Sequence, residues 1–170
     1  MKRIVLATCL VAICSLAVKA QRYAIVDTKY ILEKIPQYAE AQKSLDEISV
    51  QWQKDIDTKQ AELDRMYRNY EAEQVMLSDE LKKKREDELF MREKELRDNQ
   101  RQRFGFEGDL FKKRQELVKP IQDKVYTAIQ KIAANRQYDF ILDKSEGITV
   151  IFADPKLDRS EDVLKELGVK

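Results

Sequence analysis

Histidine is absent from the 170-residue sequence, and both cysteines, Cys9 and Cys14, lie in the first 20 residues. A zinc site built from His and Cys is therefore excluded after residue 20. General acid–base catalysis by His, and nucleophile pairs that depend on His, are excluded as well. The glycines are isolated and form no phosphate-binding loop. We therefore expect no enzyme, no metal site and no cofactor, which leaves a binding or structural role.

The first 20 residues have the pattern of a secretory signal peptide. Lys2 and Arg3 precede an apolar run over residues 4–18, and Val18-Lys19-Ala20 places small residues where a signal peptidase reads them. The run is too short for a convincing membrane span. Cys9 and Cys14 raise a lipoprotein signal as the alternative, but cleavage before either would leave almost no apolar core. We assign residues 1–20 to a cleaved signal.

Cleavage would also change the charge of the protein. Removal of Lys2, Arg3 and Lys19 turns the formal net charge from +1 to −2, because no acidic residue leaves with them. Nucleic-acid-binding chains are usually basic. The mature sequence therefore predicts no nucleic-acid partner.

Residues 37–119 are rich in charged and amide side chains, with Gly105 and Gly108 but no proline. Such a composition favours helix. We predict two antiparallel helices joined near Leu77-Ser78-Asp79, with Ser78 as the N-cap of the second. An arm of about 40 residues would reach ~60 Å. That length exceeds a compact domain, so the arms should project from an anchoring body.

Apolar residues on both arms have helical spacing. On the outgoing arm the spacings are three, four and seven; on the returning arm they are seven, with Arg103 in the gap between Leu96 and Leu110. The outgoing set is Leu45, Ile48, Trp52, Ile56, Leu63, Met66 and Tyr70, and the returning set is Leu89, Leu96, Leu110 and Leu117. This pattern predicts a thin coiled-coil seam.

The seam does not use every apolar side chain of the arms. Leu89, Phe90 and Met91 are consecutive, so they spread over about 200° of a helix, whereas a seam covers roughly 100°. Exposed Met and aromatic groups suggest an adaptable contact surface; packing against a neighbouring arm of an oligomer is the alternative. The candidates are Met66, Tyr67, Tyr70, Met76, Phe90, Met91, Phe104 and Phe106.

The charges divide between the arms. Residues 40–73 have a net charge of −4 and residues 80–119 a net charge of +3, which favours an antiparallel pair. Lys82, Lys83, Lys84 and Arg85 form a basic cluster just after the turn, either a binding site or a solvated face. Gly105, Gly108 and Pro120 are candidate hinge positions, because glycine weakens a helix and proline restarts it.

The flanking segments, residues 21–36 and 120–170, predict a small α/β body. Strands are expected at 23–27, 138–143 and 148–152, a short helix ending near Ile35, a helix from Pro120 to about Asn135, and a final helix capped by Asp158 or Ser160. Three strands make a poor sheet alone, so the sheet should continue across subunits. The predicted fold is α+β and mainly α.

The order of these elements resembles the Skp/OmpH family of periplasmic chaperones. The resemblance covers the whole mature chain and lies in residues 24–28, Ile35-Pro36, 117–121, 138–143, Asp154-Pro155 and 158–164. Lys119-Pro120-Ile121-Gln122 and Asp154-Pro155 are most similar to the versions found in Bacteroidetes-type bacteria.

That resemblance implies a periplasmic homotrimer in which the body trimerises and hairpins, here residues 37–119, hang as tentacles around a cavity. Unfolded outer-membrane proteins would be held there without ATP, with no catalytic residues. The apolar candidates above would then contact the client. The best-known members are strongly basic, whereas this mature chain is at −2. Charge-driven capture, and membrane or lipopolysaccharide association through Lys82–Arg85, are therefore less expected here.

Two other functions fit the same sequence. A structural coiled-coil protein of the envelope or surface needs an unbroken seam without spare apolar groups. A lipid- or lipopolysaccharide-binding envelope protein needs clustered basic residues. The thin seam, the bends and the spare Met and aromatic groups favour the holdase chaperone.

Overall fold

The computed structural model describes residues 21–145, 147 and 150–169, so the predicted signal peptide lies outside the described residues. The chain divides into two compact units. One runs from Leu32 to Lys124; the other combines the chain up to Ile31 with the chain from Val125. Most of the described residues are helical, and a small sheet completes the fold, as predicted.

The first unit is built on a helical hairpin. Helix α1 (Thr28–Glu33) ends just before it, and α2 (Pro36–Glu73) starts at a proline, which suits a first turn because it lacks an N–H. After a turn, Ser78 caps α3 (Asp79–Phe104) by accepting a hydrogen bond from the N–H of Leu81 at 3.4 Å. The predicted turn and the predicted N-cap, Ser78, are both confirmed.

Buried leucine and isoleucine side chains hold α2 and α3 together. Ile56 and Leu63 of α2 pack with Leu89 and Leu96 of α3, and none of the four is more than 5% exposed. Full burial of such a side chain contributes about 1.5–3 kcal/mol. The antiparallel pairing and the thin seam are therefore confirmed.

A second cluster lies where the returning chain meets the start of α2. The returning chain continues as α4 (Asp109–Leu117) and α5 (Lys119–Arg136). Ala41 and Leu45 are buried there with Val118, and Leu110 and Leu117 pack against them. The seam thus extends past the glycines.

Ion pairs contribute little to the pairing of the two arms. Most of those described in the hairpin join residues three or four apart on one helix, such as Arg97 and Glu93 at 2.6 Å. Lys59 and Glu95 pair between the helices at 3.5 Å, but the lysine comes from the acidic arm and the glutamate from the basic arm. Exposed pairs stabilise by only about 0–1 kcal/mol. Apolar packing is therefore the main contact between the two helices, and an effect of the charge difference on pairing stays a prediction.

The second unit contains a two-stranded parallel sheet. Strand β1 (Tyr23–Val26) pairs with β2 (Phe140–Asp143) from Tyr23↔Phe140 to Val26↔Asp143, and Ile25 bridges Asp158 on the other side of β1. Within the described residues, the outer edge of β2 therefore has no strand partner. Buried apolar side chains come from β1, from α5 and from the last helix, α6 (Ser160–Glu166).

Two details of this unit differ from the sequence prediction. Of the third strand expected at 148–152, residues 148 and 149 lie outside the described residues, and 150–152 are not in a strand. β-branched residues favour a strand only where a partner and packing are present. Ser160 does not cap α6; it is buried, and its hydroxyl accepts a hydrogen bond from the N–H of Asp27 at 2.9 Å.

Asp143 joins β2 to the start of α1. Its carboxylate accepts hydrogen bonds from the N–H of Thr28 at 3.2 Å, from the Thr28 hydroxyl, and from the N–H of Ser145 at 3.0 Å. Burial raises the pKa of Asp143, but these hydrogen bonds outweigh it and leave the pKa below its ordinary value. The ionised form is therefore favoured in the folded protein.

We expect Asp143→Asn to lower the free energy of unfolding by about 1.5–3 kcal/mol at pH 7, the range for hydrogen bonds to charged groups. Because the folded pKa is depressed, this stabilisation is present above the ordinary carboxyl pKa and is lost as pH falls through the folded pKa. Urea unfolding of the wild type and the variant between pH 7 and 3 measures the difference. Glu33→Gln, at an exposed carboxylate of α1, is the control. A difference that persists unchanged at pH 3 would contradict the ionic contribution.

Candidate functional site

The hairpin unit leaves many large apolar side chains exposed. They occur on both arms and in the turn between α2 and α3, and several are among the most exposed apolar groups described. They are Val50, Tyr67, Val75, Met76, Leu81, Phe90, Met91, Phe104, Phe106 and Phe111. Single exposed apolar residues are normal in soluble proteins. A role of this set as an interaction surface stays a prediction. We refer to these ten residues as the exposed apolar set.

Consecutive residues on α3 divide between the seam and solvent. Leu89 is buried between the helices, whereas Phe90 and Met91 are 59% and 60% exposed. The prediction that at least one of the three faces outward is confirmed. Tyr67, Met76 and Phe106 are also exposed as predicted, with Phe106 the extreme case at 96%.

Two of the predicted contact residues were also predicted to belong to the seam, and their place there is confirmed. Met66 and Tyr70 pack against the cluster of Ile56, Leu63, Leu89 and Leu96. The Tyr70 hydroxyl also donates a hydrogen bond to Glu86 of α3. Both residues continue the three- and four-residue spacing from Leu63, so their place in the seam follows from helical periodicity. They therefore support the hairpin, and a client contact at these two residues stays a prediction.

Phe104 is partly engaged by the opposite helix. Its ring meets the ring of Trp52 edge-on, with 6.3 Å between centroids, and the Arg103 guanidinium lies 4.5 Å from the Trp52 centroid. Such contacts contribute about 0.5–1.5 kcal/mol beyond area burial. Arg103 therefore fills the gap in the seven-residue pattern with a cation–π contact, and Phe104 is only 37% exposed.

Sequence reasoning missed four members of the exposed apolar set, namely Val50, Val75, Leu81 and Phe111. Val75 has a recognisable signal, because it precedes Met76 in a turn where polar residues are usual. Val50 and Phe111 lie on solvated helix faces among charged residues and carry no such signal.

The basic cluster lies in the first turns of α3. Lys82 pairs with Asp79 at 4.0 Å and Arg85 with Glu88 at 3.2 Å, so part of its charge is balanced locally. Lys83 and Lys84 are exposed. A binding role for the cluster stays a prediction.

The candidate hinge coincides with an interruption of the returning helix. α3 ends at Phe104 and α4 begins at Asp109, with Gly105 and Gly108 as the flanking caps. Glu107 between them has φ +53°, a left-handed conformation that is uncommon for glutamate. The Arg103–Asp109 ion pair, at 2.9 Å, spans the break. Whether it bends in use stays a prediction.

The helix restarts at the third candidate hinge position. α4 ends at Leu117 and α5 begins at Lys119, so Pro120 lies in the first turn of a new helix. Proline is tolerated there because its missing N–H needs no partner within the helix. The predicted restart is confirmed.

We expect Gly105→Ala to destabilise the hairpin by about 1–3 kcal/mol, the usual cost of overpacking. An added Cβ would lie 2.3 Å from the carbonyl oxygen of Arg101, so the break could not keep its conformation. Thermal unfolding followed by circular dichroism measures the loss, with Ser44→Ala on an exposed face of α2 as the control. A gain of both helicity and melting temperature would show instead that a continuous helix replaces the break without cost.

Two other kinds of site are not found in the described part of the chain. No group of three or more His, Cys, Asp or Glu among the described residues is arranged to hold a metal ion. Across the same residues, no helix combines the length and the apolar character that crossing a bilayer requires.

Comparisons with known proteins agree with this architecture. The family model "Outer membrane protein (OmpH-like)" matches residues 22–167. The crystal structure of a candidate OmpH-like outer membrane chaperone from Caulobacter crescentus is similar, with a TM-score of 0.68 over 89% of this chain and 86% of that chain. At 14% identity this likeness shows the fold alone. No curated protein matches the sequence significantly.

Proposed function

This chain belongs to the OmpH-like outer membrane protein family, and we propose that it is an ATP-independent holdase chaperone of the periplasm. In this proposal it binds unfolded outer-membrane proteins in a cavity between helical arms and prevents their aggregation. The predicted signal peptide, residues 1–20, would direct its export.

The observation that carries the proposal is the exposed apolar set on the hairpin. An unfolded membrane-barrel segment is rich in apolar side chains and needs a partner that is itself apolar, adaptable and accessible. Met76 and Met91, which are flexible and polarisable, suit contacts with many different sequences. Each contact would be partial, so affinity would come from several contacts made at once.

The same observation argues against the structural coiled-coil alternative. A spacer gains nothing from exposed Phe90 or Phe106, and such groups make it prone to aggregate. It would also be weakened by the break between α3 and α4. A lipid- or lipopolysaccharide-binding role would rest on Lys82–Arg85, part of whose charge is balanced by neighbouring carboxylates.

A homotrimer is part of the proposal, because the second unit has features that a further chain could cover. Among the described residues, the outer edge of β2 has no strand partner, and such an edge can pair with another chain. On β1 and β2, Tyr23 and Phe140 stack with 5.6 Å between centroids, yet both stay about 40% exposed, and Ile151 and Phe152 are more exposed still. Sedimentation equilibrium of the mature protein tests this assembly, and a folded monomer would refute it.

The holdase activity is tested by light scattering. A denatured outer-membrane barrel diluted from urea is expected to aggregate alone and to stay dispersed with an equimolar amount of trimer, without ATP. If the barrel aggregates to the same extent in the presence of the folded protein, the proposal is refuted and the structural alternative is favoured. Adding ATP serves as the control and should change nothing.

A further inference from the structure

The methionine side chains are the most readily oxidised groups of the mature sequence. Of the four methionines, Met66, Met76 and Met91 follow residue 20, whereas both cysteines precede it. With no thiol after residue 20, the thioether sulfurs are the first targets of a two-electron oxidant.

The three sulfurs lie in different environments. Met76, in the turn between α2 and α3, is 79% exposed, and Met91 on α3 is 60% exposed. Met66 is half-buried against the cluster that holds the two helices together. Oxygen transfer requires the oxidant to reach the sulfur, so accessibility should separate the rates.

Both exposed methionines belong to the surface proposed to contact clients. Met91 follows exposed Phe90, and Met76 follows exposed Val75. A sulfoxide is polar, so it would weaken apolar contact at these two places. The seam that holds the hairpin would keep its packing, because neither side chain belongs to it.

We propose that Met76 and Met91 are reversible oxidation sites that lower the capacity of the hairpin for apolar chains; the regulatory part rests on the proposed function. With hypochlorous acid, the sulfur lone pair forms the S–O bond as the O–Cl bond breaks. Chloride leaves with the electron pair, and the hydroxyl proton goes to water. Sulfur loses two electrons and chlorine gains two. A thiol-dependent methionine sulfoxide reductase would reverse the step.

Mapping the order of oxidation tests the sites without any client. The mature protein is treated with substoichiometric hypochlorite, and its peptides are followed by mass spectrometry. Met76 and Met91 are expected to oxidise about tenfold faster than Met66, since reactivity follows exposure. Equal rates at all three positions would overturn the assignment of the sites.

The consequence is tested by light scattering with wild type, Met76→Leu/Met91→Leu and the matched control Met66→Leu. Leucine keeps the apolar character but cannot be oxidised. Each protein is compared with its own untreated sample. After hypochlorite, wild type and Met66→Leu should lose protection several-fold, whereas the double variant should protect to the same extent before and after treatment, and reductase treatment should restore the wild type. Met76→Gln/Met91→Gln should resemble the oxidised wild type without treatment.

Failures of the two proposals are distinguishable. If untreated wild type gives no protection, the proposed function and the regulatory part both fall, while the oxidation map still decides the sites. If untreated protein protects, and protein carrying both sulfoxides protects equally well, only the regulatory inference is overturned.

Discussion

Simultaneous replacement of five exposed apolar residues by Ser or Gln is expected to weaken client binding by tenfold or more while the fold persists. The five are Tyr67, Met76, Phe90, Met91 and Phe106. Full burial of one such side chain is worth about 1.5–3 kcal/mol, and a loss of about 1.4 kcal/mol in total already lowers affinity tenfold. Partial contacts at these five positions of one hairpin should together contribute more than that amount.

The variant should fold, because none of the five side chains belongs to a buried cluster. Circular dichroism and sedimentation check this, and light scattering with a urea-diluted barrel measures the function. A matched control replaces exposed polar residues of the same helices, Lys54, Asp87 and Arg101, by Ser or Gln. The control should protect the client as wild type does.

The salt dependence of client binding distinguishes apolar from ionic contacts. Raising the salt concentration from about 0.05 to 0.5 M should weaken client binding only slightly, because screening acts on exposed charge and not on apolar burial. The predicted mature charge of −2 leaves little net field to attract an acidic chain. A steep loss of binding with salt, together with an unaffected five-residue variant, would instead assign capture to Lys82–Arg85.

Local chemistry explains why much of the fold could be predicted from the sequence. Pro36 and Ser78 set helix starts through their own backbone and side-chain hydrogen bonding, so no knowledge of the rest of the chain was needed. The leucines at seven-residue spacing define a seam wherever they are placed on a helix. These features were confirmed.

The features that could not be predicted depend on contacts with residues distant in the sequence. Arg103 looked like a charge interrupting the seam until the structure placed Trp52 opposite it, and that pairing depends on the register set at the turn. Phe104 contacts the same ring. Val150–Phe152 read as a strand by composition, but a strand needs a neighbouring strand, which composition does not provide. Both cases depend on groups distant in sequence.

Truncation of one buried leucine should weaken the packing between α2 and α3. Leu96→Ala is expected to lower the free energy of unfolding of the hairpin by about 2–4 kcal/mol, through lost burial and a residual cavity. Leu96 is 5% exposed and belongs to a cluster of only four buried residues, so few other contacts can compensate. Leu81→Ala on the same helix, at a position 50% exposed, should cost less than about 1 kcal/mol.

Hydrogen exchange shows where the stability is lost. In Leu96→Ala, amides of α2 and α3 should exchange faster, because the seam is the main apolar contact between these helices and helices in proteins gain most of their stability from tertiary packing. Amides of β1, β2 and α6 should change little, since their unit buries its own side chains, such as Val26 and Val163. A uniform rise in exchange along the chain would mean that both units unfold as one. A loss of protection confined to α2 and α3 would instead establish that the two helices of the hairpin can separate while the sheet-containing unit stays folded.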